Sequence, residues 1–242
     1  MLLIKPNWHA PCNIQSFCTT RNYPENSKNP YENFNLATHV GDDISQVQKN
    51  RKKLEQHLKL AKPISYLNQN HTDKWTLLDK KNGINDKDSD AVYSFDKNCV
   101  CAVLTADCLP ILLCNKKGDF IAAVHAGWQG LENEIIKKIT DYYPKTADLL
   151  CWIGPSISKK SFEVGEEIYQ KFSNKNPAYK EAFEKHKNKL FLDNVTLAKI
   201  QLKSTGINKI YGGNYNTYTD KNFYSYRRNN KCGRMASLIW ME

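Results

Sequence analysis

The stretch CVCAVLTADCLPILLCNKKGDFIAAVHAGWQG, residues 99–130, is the most apolar part of an otherwise polar, lysine-rich chain. Its apolar runs are interrupted by a short polar segment, NKKGD, and by a glycine-containing turn. Short apolar runs bounded by turn signals are typical of buried strands, and a polar loop between two of them predicts a hairpin. We therefore predict strands over residues 100–105, 109–114 and 120–124, and a helix over residues 131–139.

This apolar stretch also contains chemically reactive side chains, namely Asp107, Cys108 and His125. Polar groups cost free energy to bury unless partners are supplied. We therefore expect a metal site or a nucleophile at this point of the fold.

Weaker patterns along the rest of the chain predict a mixture of helices and strands. Helices are expected from Ile44 to a point before Pro63 and over residues 195–204, and strands over residues 64–67, 223–227 and 236–240. With no repeat and no linker-like segment, we predict one domain over residues 1–242. The fold class is α/β or α+β with a mixed sheet.

The net charge of +10 raises the question of an anionic partner. Lysines are scattered along the whole chain, which indicates a solvated surface, and no aromatic-basic motif is present, so we do not expect nucleic-acid binding. No apolar segment is long enough to span a bilayer, and no signal peptide is recognisable, so we expect no membrane association. Cysteines alternate within a buried strand rather than forming a disulfide framework, which favours the cytoplasm.

Arginine is rare in this chain, with five residues among the 35 basic ones. Because lysine supplies the general surface charge, an arginine here is a candidate for gripping a carboxylate or phosphate with two hydrogen bonds. Arg51, Arg227 and Arg228 are our candidates for phosphate or substrate binding, and the alternative for each arginine is an internal salt bridge or a position that arginine occupies by chance.

Three potential metal ligands, His71, Cys108 and His125, each lie at or near the end of a predicted strand. One thiolate and two imidazoles suit Zn²⁺, with copper as the second choice, and three protein ligands leave one position open, as in catalytic sites. The alternative is that Cys108 is a nucleophile and His125 its base. Asp107 would then orient the histidine, act as general acid or base, or support a ligand.

The motifs TADCLPILLC, VHAGWQG, IGPSI followed by FEVG, and the closing YTDKNFYSYRRNNKCGRMASLIW resemble the laccase-domain family. Its members are also called multicopper polyphenol oxidase-like proteins or purine nucleoside phosphorylases of the laccase-domain type. NLATHVGDD, NRKKL and QNH extend the resemblance over nearly the whole chain. The sequence departs from the family pattern at Thr72, Gln129 and Asn229, where Gly, Arg and Asp are usual.

The resemblance implies a layered α/β sandwich of mixed sheets flanked by helices. It also implies a metal, usually zinc, held by His71, Cys108 and His125. The associated activities are phosphorolysis of adenosine, inosine, guanosine and methylthioadenosine, and deamination of adenosine. The expected partners are therefore a purine nucleoside and phosphate, with Cys108 and Asp107 as candidate catalytic residues.

Two other activities connected with the family remain alternatives at this stage. One is hydrolysis of a cell-wall precursor during peptidoglycan editing, with attack by Cys108 or by a water. The other is copper-dependent polyphenol oxidation, which ranks lower because six histidines are too few for a trinuclear cluster plus a blue-copper site.

Overall fold

The structure, a computed structural model, describes residues 3–22, 30–143 and 145–242. Its strands are β1 (Leu3–Ile4), β2 (Ile14–Thr19), β3 (Trp75–Asp79), β4 (Gly83–Ile84), β5 (Ala91–Ser94), β6 (Cys101–Thr105), β7 (Leu109–Asn115), β8 (Ile121–Ala126), β9 (Leu149–Ile153), β10 (Glu163–Val164), β11 (Phe183–His186), β12 (Lys189–Leu192), β13 (Lys209–Gly212) and β14 (Met235–Met241). Its α-helices are α1 (Ile44–His57), α2 (Trp128–Glu132), α3 (Ile135–Asp141), α4 (Glu166–Lys175) and α5 (Asn194–Ser204).

The longer helices begin where the sequence supplies a capping side chain. Asp43 Oδ1 accepts hydrogen bonds from the amides of Ser45 and Gln46 at the start of α1. Asp193 caps α5 in the same way, through the Thr196 amide. Such caps satisfy amides that have no partner inside the helix. The predicted helix over residues 195–204 is therefore confirmed, one residue longer at its start.

The predicted hairpin of the central stretch is confirmed as β7 and β8. These strands pair antiparallel, from Leu109 opposite Ala126 to Cys114 opposite Ile121. The connecting turn places Gly118 at φ +73°, a conformation that glycine adopts without steric cost. β7 and β8 lie in the middle of a seven-stranded sheet of order β13-β9-β7-β8-β5-β3-β4.

This sheet is mixed, because β13 pairs parallel to β9 and β3 parallel to β5, whereas the other pairs are antiparallel. A second, antiparallel sheet has the order β1-β2-β14-β6. A third, small sheet has the order β10-β12-β11.

The two larger sheets pack face to face, and helices cover their outer faces. Alternate residues of β7 lie on opposite faces: Leu113 packs with helical residues such as Ile139, whereas Leu112 packs with Val103 of the second sheet. The outer face of the second sheet is buried under α1 through Leu54. The fold is thus a layered sandwich of mixed sheets flanked by helices, as the resemblance implied.

Three predicted elements differ from the structure. Residues 64–67 are not a strand, and the Ile64 amide donates to Glu55 Oε1 instead of to a neighbouring strand. Residues 223–227 are not a strand either, because the Arg227 amide donates to Asp107. The predicted helix over residues 131–139 is interrupted at Glu134, whose left-handed φ of +59° separates α2 from α3.

None of the helices in the described ranges combines the length and apolar character needed to cross a bilayer.

Candidate metal centre

Three distant parts of the chain bring His71, Cys108 and His125 together. Cys108 lies in the short connection where the chain leaves β6 in one sheet and enters β7 in the other. His125 is near the end of β8, directly opposite Pro110. His71 lies in a loop before β3 and has a left-handed φ of +59°.

The potential ligand atoms of these side chains lie within 4.8 Å of one another. His71 Nε2 is 3.6 Å from Cys108 Sγ, and the two imidazole rings are 4.8 Å apart between centroids. Gly127 leaves room for this cluster, since a Cβ there would be 2.9 Å from His71 Cδ2 and 3.3 Å from Cys108 Sγ.

This donor set fits a metal ion. Bond lengths of about 2.3 Å to sulfur and about 2.0 Å to nitrogen, at a tetrahedral angle, separate the two ligand atoms by about 3.5 Å. The observed 3.6 Å between His71 Nε2 and Cys108 Sγ agrees with that separation. Nitrogen and thiolate ligands in this combination suit zinc or copper rather than magnesium or calcium.

The carboxylate of Asp90, fully buried just before β5, ties two of these side chains together. Its Oδ1 accepts from His125 Nδ1 at 2.7 Å and from the His71 amide at 3.1 Å. Its Oδ2 accepts from the amide and hydroxyl of Thr72 at 2.6 and 2.7 Å, and from the Asn70 amide at 3.2 Å. With Nδ1 occupied as a donor, Nε2 of His125 is the nitrogen left for a metal.

Mutual electrostatic effects shift the ionisation of these groups. Burial opposes ionisation of the Cys108 thiol, but the charge of His125 and hydrogen bonds from both histidines lower its pKa to about 6. Burial likewise opposes protonation of His125, but the Cys108 thiolate and Asp90 raise its pKa to about 9. Burial also acts against the charge of Asp90, yet the hydrogen bond and charge of His125 keep its pKa below the usual value. Cys108 is thus held in the thiolate form that binds metals.

Asp107 precedes Cys108 with a left-handed φ of +91°. Its carboxylate accepts from Thr217 Oγ1 at 2.6 Å, Ser225 Oγ at 3.0 Å and the Arg227 amide at 2.6 Å. These bonds fix the turn that presents Cys108 and join it to the segment that carries the arginines.

The three potential ligands line a cavity of about 470 Å³. Its apolar wall includes aromatic side chains, and its polar wall includes carboxamides and cations. The other lining residues are His39, Gln69, Leu104, Thr105, Ala106, Asp107, Trp128, Gln129, Ile157, Phe162, Asn194, Tyr226, Arg227 and Arg234. A cavity of this size and character suits a small organic molecule.

The predicted arginines have different places. Arg227 lines the cavity, with its guanidinium over the Phe162 ring and hydrogen-bonded to the Glu163 carbonyl. Arg51 is outside the lining, where Nε donates to the Leu36 carbonyl and the guanidinium lies over Tyr66.

Arg228 is also outside the lining and donates to the backbone carbonyls of Thr217, Tyr218 and Phe223. The roles of Arg51 and Arg228 in substrate binding stay predictions.

Sequence reasoning missed Asp90, His39 and Arg234. Burial lowers the pKa of His39, and the charges of Arg234, Arg51 and His125 lower it further, so these cations lie close enough to interact. The scarcity of arginine could have drawn attention to Arg234. The sequence around Asp90 contains no pattern that distinguishes this buried aspartate from Asp86 and Asp88, which precede it and are exposed.

Comparison with known proteins bears on the chain as a whole. A relative from Haemophilus influenzae named purine nucleoside phosphorylase is 40% identical, with 100% of both chains covered. Purine nucleoside phosphorylase YfiH of Escherichia coli is 37% identical over 99% of this chain and 98% of its own. A crystal structure of a Neisseria meningitidis protein superimposes with a TM-score of 0.92 at 37% identity, covering 99% of each chain.

The family model described as multi-copper polyphenol oxidoreductase laccase matches residues 15–242. The match begins in β2 and includes the three potential metal ligands and the cavity that they line. The chain therefore belongs to this laccase-like family, several of whose members are named purine nucleoside phosphorylases.

Proposed function

We propose that the protein is a zinc-dependent purine nucleoside phosphorylase acting on adenosine, inosine, guanosine and methylthioadenosine. One observation carries the proposal: a single cavity joins the His71, Cys108 and His125 cluster to cationic side chains and to an aromatic wall. In such a reaction the aromatic wall would contact the base, the cations would hold the phosphate, and the cluster would hold the metal. The names of the relatives, which are similar over their whole length, support the same activity.

Phosphorolysis breaks the bond between ribose C1′ and the base and forms a bond from C1′ to a phosphate oxygen. The phosphate needs positive charge close to C1′. Arg227 and Arg234 line the cavity, and both donate to backbone carbonyls, which do not neutralise their charge. His39 lies in the same positive region. We therefore assign the phosphate to this side of the cavity.

The metal would be held by His71, Cys108 and His125, and it would supply a Lewis acid able to polarise an oxygen or activate a water. Asp90 orients His125 and the loop that carries His71. The same centre serves deamination of adenosine, which we include in the proposal. In the part of the chain that the structure describes, one group of three potential ligands is found, which is enough for one ion and too few for the several coppers of a multicopper oxidase.

Cys108 acts in this proposal as a ligand whose thiolate form is stabilised by His125. The sequence-based prediction that Asp107 transfers a proton stays a prediction. Its three accepted hydrogen bonds favour a positioning role, because both carboxylate oxygens are engaged.

All eight cysteines are free thiols, which supports a reducing compartment such as the cytoplasm as the place of action.

The test is incubation of the purified protein with inosine, with and without phosphate. We expect equal amounts of hypoxanthine and ribose 1-phosphate, formed only with phosphate and lost in Cys108→Ala. A chelator should abolish the release and zinc should restore it. The exposed-loop variant Lys117→Ala is the control. Release that does not need phosphate, or that persists in Cys108→Ala, would contradict the proposal.

A further inference from the structure

A buried carboxamide in the cavity has no role so far. Asn194 is the first residue of α5 and is 2% exposed. It lines the cavity, and within the described ranges its Oδ1 has no hydrogen-bond partner. A buried polar atom without a partner costs free energy, and a ligand, an ion or a water can satisfy it. Seven buried side-chain atoms lack a partner in the described ranges, and two of them, Asn194 Oδ1 and Thr105 Oγ1, belong to residues that line the cavity.

The surroundings place Asn194 beside the aromatic wall. The Leu192 amide donates to the Phe162 carbonyl at 3.0 Å, which brings the start of α5 to Phe162. Further along α5, Gln201 Nε2 donates to the Leu131 carbonyl at 2.7 Å and ties this helix to α2, where Trp128 lies. Trp128 and Phe162 both line the cavity. A flat apolar ring can stack on such side chains while a carboxamide contacts its polar edge.

We infer that Asn194 recognises the edge of the purine base through its carboxamide, with Phe162 and Trp128 contacting the ring. The inference rests on the proposed function, since it assigns the base-binding part of the same cavity. It assigns the base to the side of Asn194 and the phosphate to the side of Arg234 and His39, and Arg227 adjoins the base side as well, because its guanidinium lies over the Phe162 ring.

The chemistry of a carboxamide fits a site that accepts both 6-amino and 6-oxo purines. Asn offers one acceptor and one NH₂ donor, and rotation of the amide exchanges their positions. On its Watson–Crick edge adenine presents the N6 amino donor beside the N1 acceptor, and an asparagine can bind both atoms. Hypoxanthine presents the O6 acceptor beside the N1–H donor on the same edge, which the rotated amide can also bind. Purine riboside has only hydrogen at C6, so it can form one of the two hydrogen bonds to the carboxamide and not the other.

The experiment measures binding of adenosine, inosine and purine riboside by calorimetry, without phosphate, to the protein freed of metal by a chelator, so that no nucleoside is deaminated or hydrated during the titration. Wild type should bind adenosine and inosine at least about tenfold more tightly than purine riboside. In Asn194→Leu and Asn194→Ala that preference should fall to about twofold or less. Unchanged preference in both variants would overturn the inference.

Thermal unfolding of the nucleoside-free protein distinguishes a recognition role from a structural one. Leucine has nearly the shape of asparagine and removes the unpartnered atom, so Asn194→Leu should be at least as stable as wild type. Leu197→Ala is the matched control on the same helix, since Leu197 is fully buried in the core and does not line the cavity. It leaves a void in the core and should be less stable, yet keep the base preference.

The outcomes separate this inference from the proposed function. Base preference that depends on Asn194, in a protein that does not cleave nucleosides with phosphate, would support the inference and contradict phosphorolysis. Phosphorolysis with a base preference that does not depend on Asn194 would support the proposed function and contradict the inference. Failure of wild type to bind any of the three nucleosides would overturn the inference.

Discussion

At the scale of single residues, Asp90 joins two residues of the candidate metal centre. One of its oxygens bonds to both His125 and the amide of His71, so two potential ligands share one anchor. The carboxylate also favours a proton on His125 Nδ1, which directs Nε2 away from Asp90. The charge of Asp90 and its buried position therefore both help to orient the His125 imidazole and the loop that carries His71.

Replacement of Asp90 by Asn should weaken metal binding about 10- to 100-fold, because a neutral amide orients His125 less firmly. Competition with a chromophoric chelator measures the change. Asp88→Asn is the matched control, since Asp88 is exposed in the same loop and should retain wild-type affinity. Equal affinity in Asp90→Asn and wild type would show that this carboxylate is not needed.

Cys108 should titrate as an unusually acidic thiol in the metal-free protein. Its pKa is lowered to about 6 from the ordinary value of 9.0, so the thiolate forms as the pH rises through about 6 and persists above it. Thiolate absorbance near 240 nm, taken as the difference from Cys108→Ala, reports this titration. A midpoint near 9 would mean that His125 does not stabilise the thiolate.

The turn between β8 and α2 is the element on which the cluster depends most closely. Gly127 directly follows the strand that carries His125, and its missing side chain leaves the space next to His71 and Cys108. The sequence indicated a glycine turn here, but only the folded chain shows which side chains occupy the space.

Gly127→Ala should therefore lower metal affinity by at least about tenfold, because the new Cβ would push His71 and Cys108 from their places. Chelator competition again gives the affinity. Gly83→Ala is the control: it has open space but a φ of +78°, so it adds backbone strain of about 1 kcal/mol far from the ligands. Retention of full affinity in Gly127→Ala would contradict the role of this turn.

The layered arrangement of the whole molecule buries both faces of β7. Leu112 faces the second sheet and Leu113 faces the helices, and both are almost fully buried. Cys108, just before β7, is thus carried by a strand enclosed on both sides. Such a scaffold can hold a reactive side chain rigidly.

Truncation of either leucine to Ala should destabilise the protein by about 2–5 kcal/mol, since each leaves a cavity in a closed core. Urea unfolding monitored by fluorescence measures the loss. Lys221→Ala, on an exposed turn, should change stability by about 0.5 kcal/mol or less. If truncation of only one of the two leucines destabilised the protein, one face of the sheet would be open to solvent and the layered fold would be wrong.

The outline of this molecule could be predicted because its central strands have local signals. Apolar runs and a polar loop predicted β7 and β8, and Cys108 and His125 lie at or near the ends of these strands. His71 was selected because it follows a predicted strand over residues 64–67, which is absent. Asp90 holds the His71 loop instead. That contact joins distant parts of the chain, so no local pattern could indicate it, and the same is true of His39 near Arg234.

The most direct test of this account is the metal content of the protein purified without a metal-affinity tag. We predict one zinc per chain in wild type and in Asp88→Asn, and loss of that zinc in His71→Ala, Cys108→Ala and His125→Ala. All variants should remain folded by circular dichroism. Folded wild type without bound metal, or full zinc content in the three ligand variants, would contradict the central claim that these side chains form one metal site.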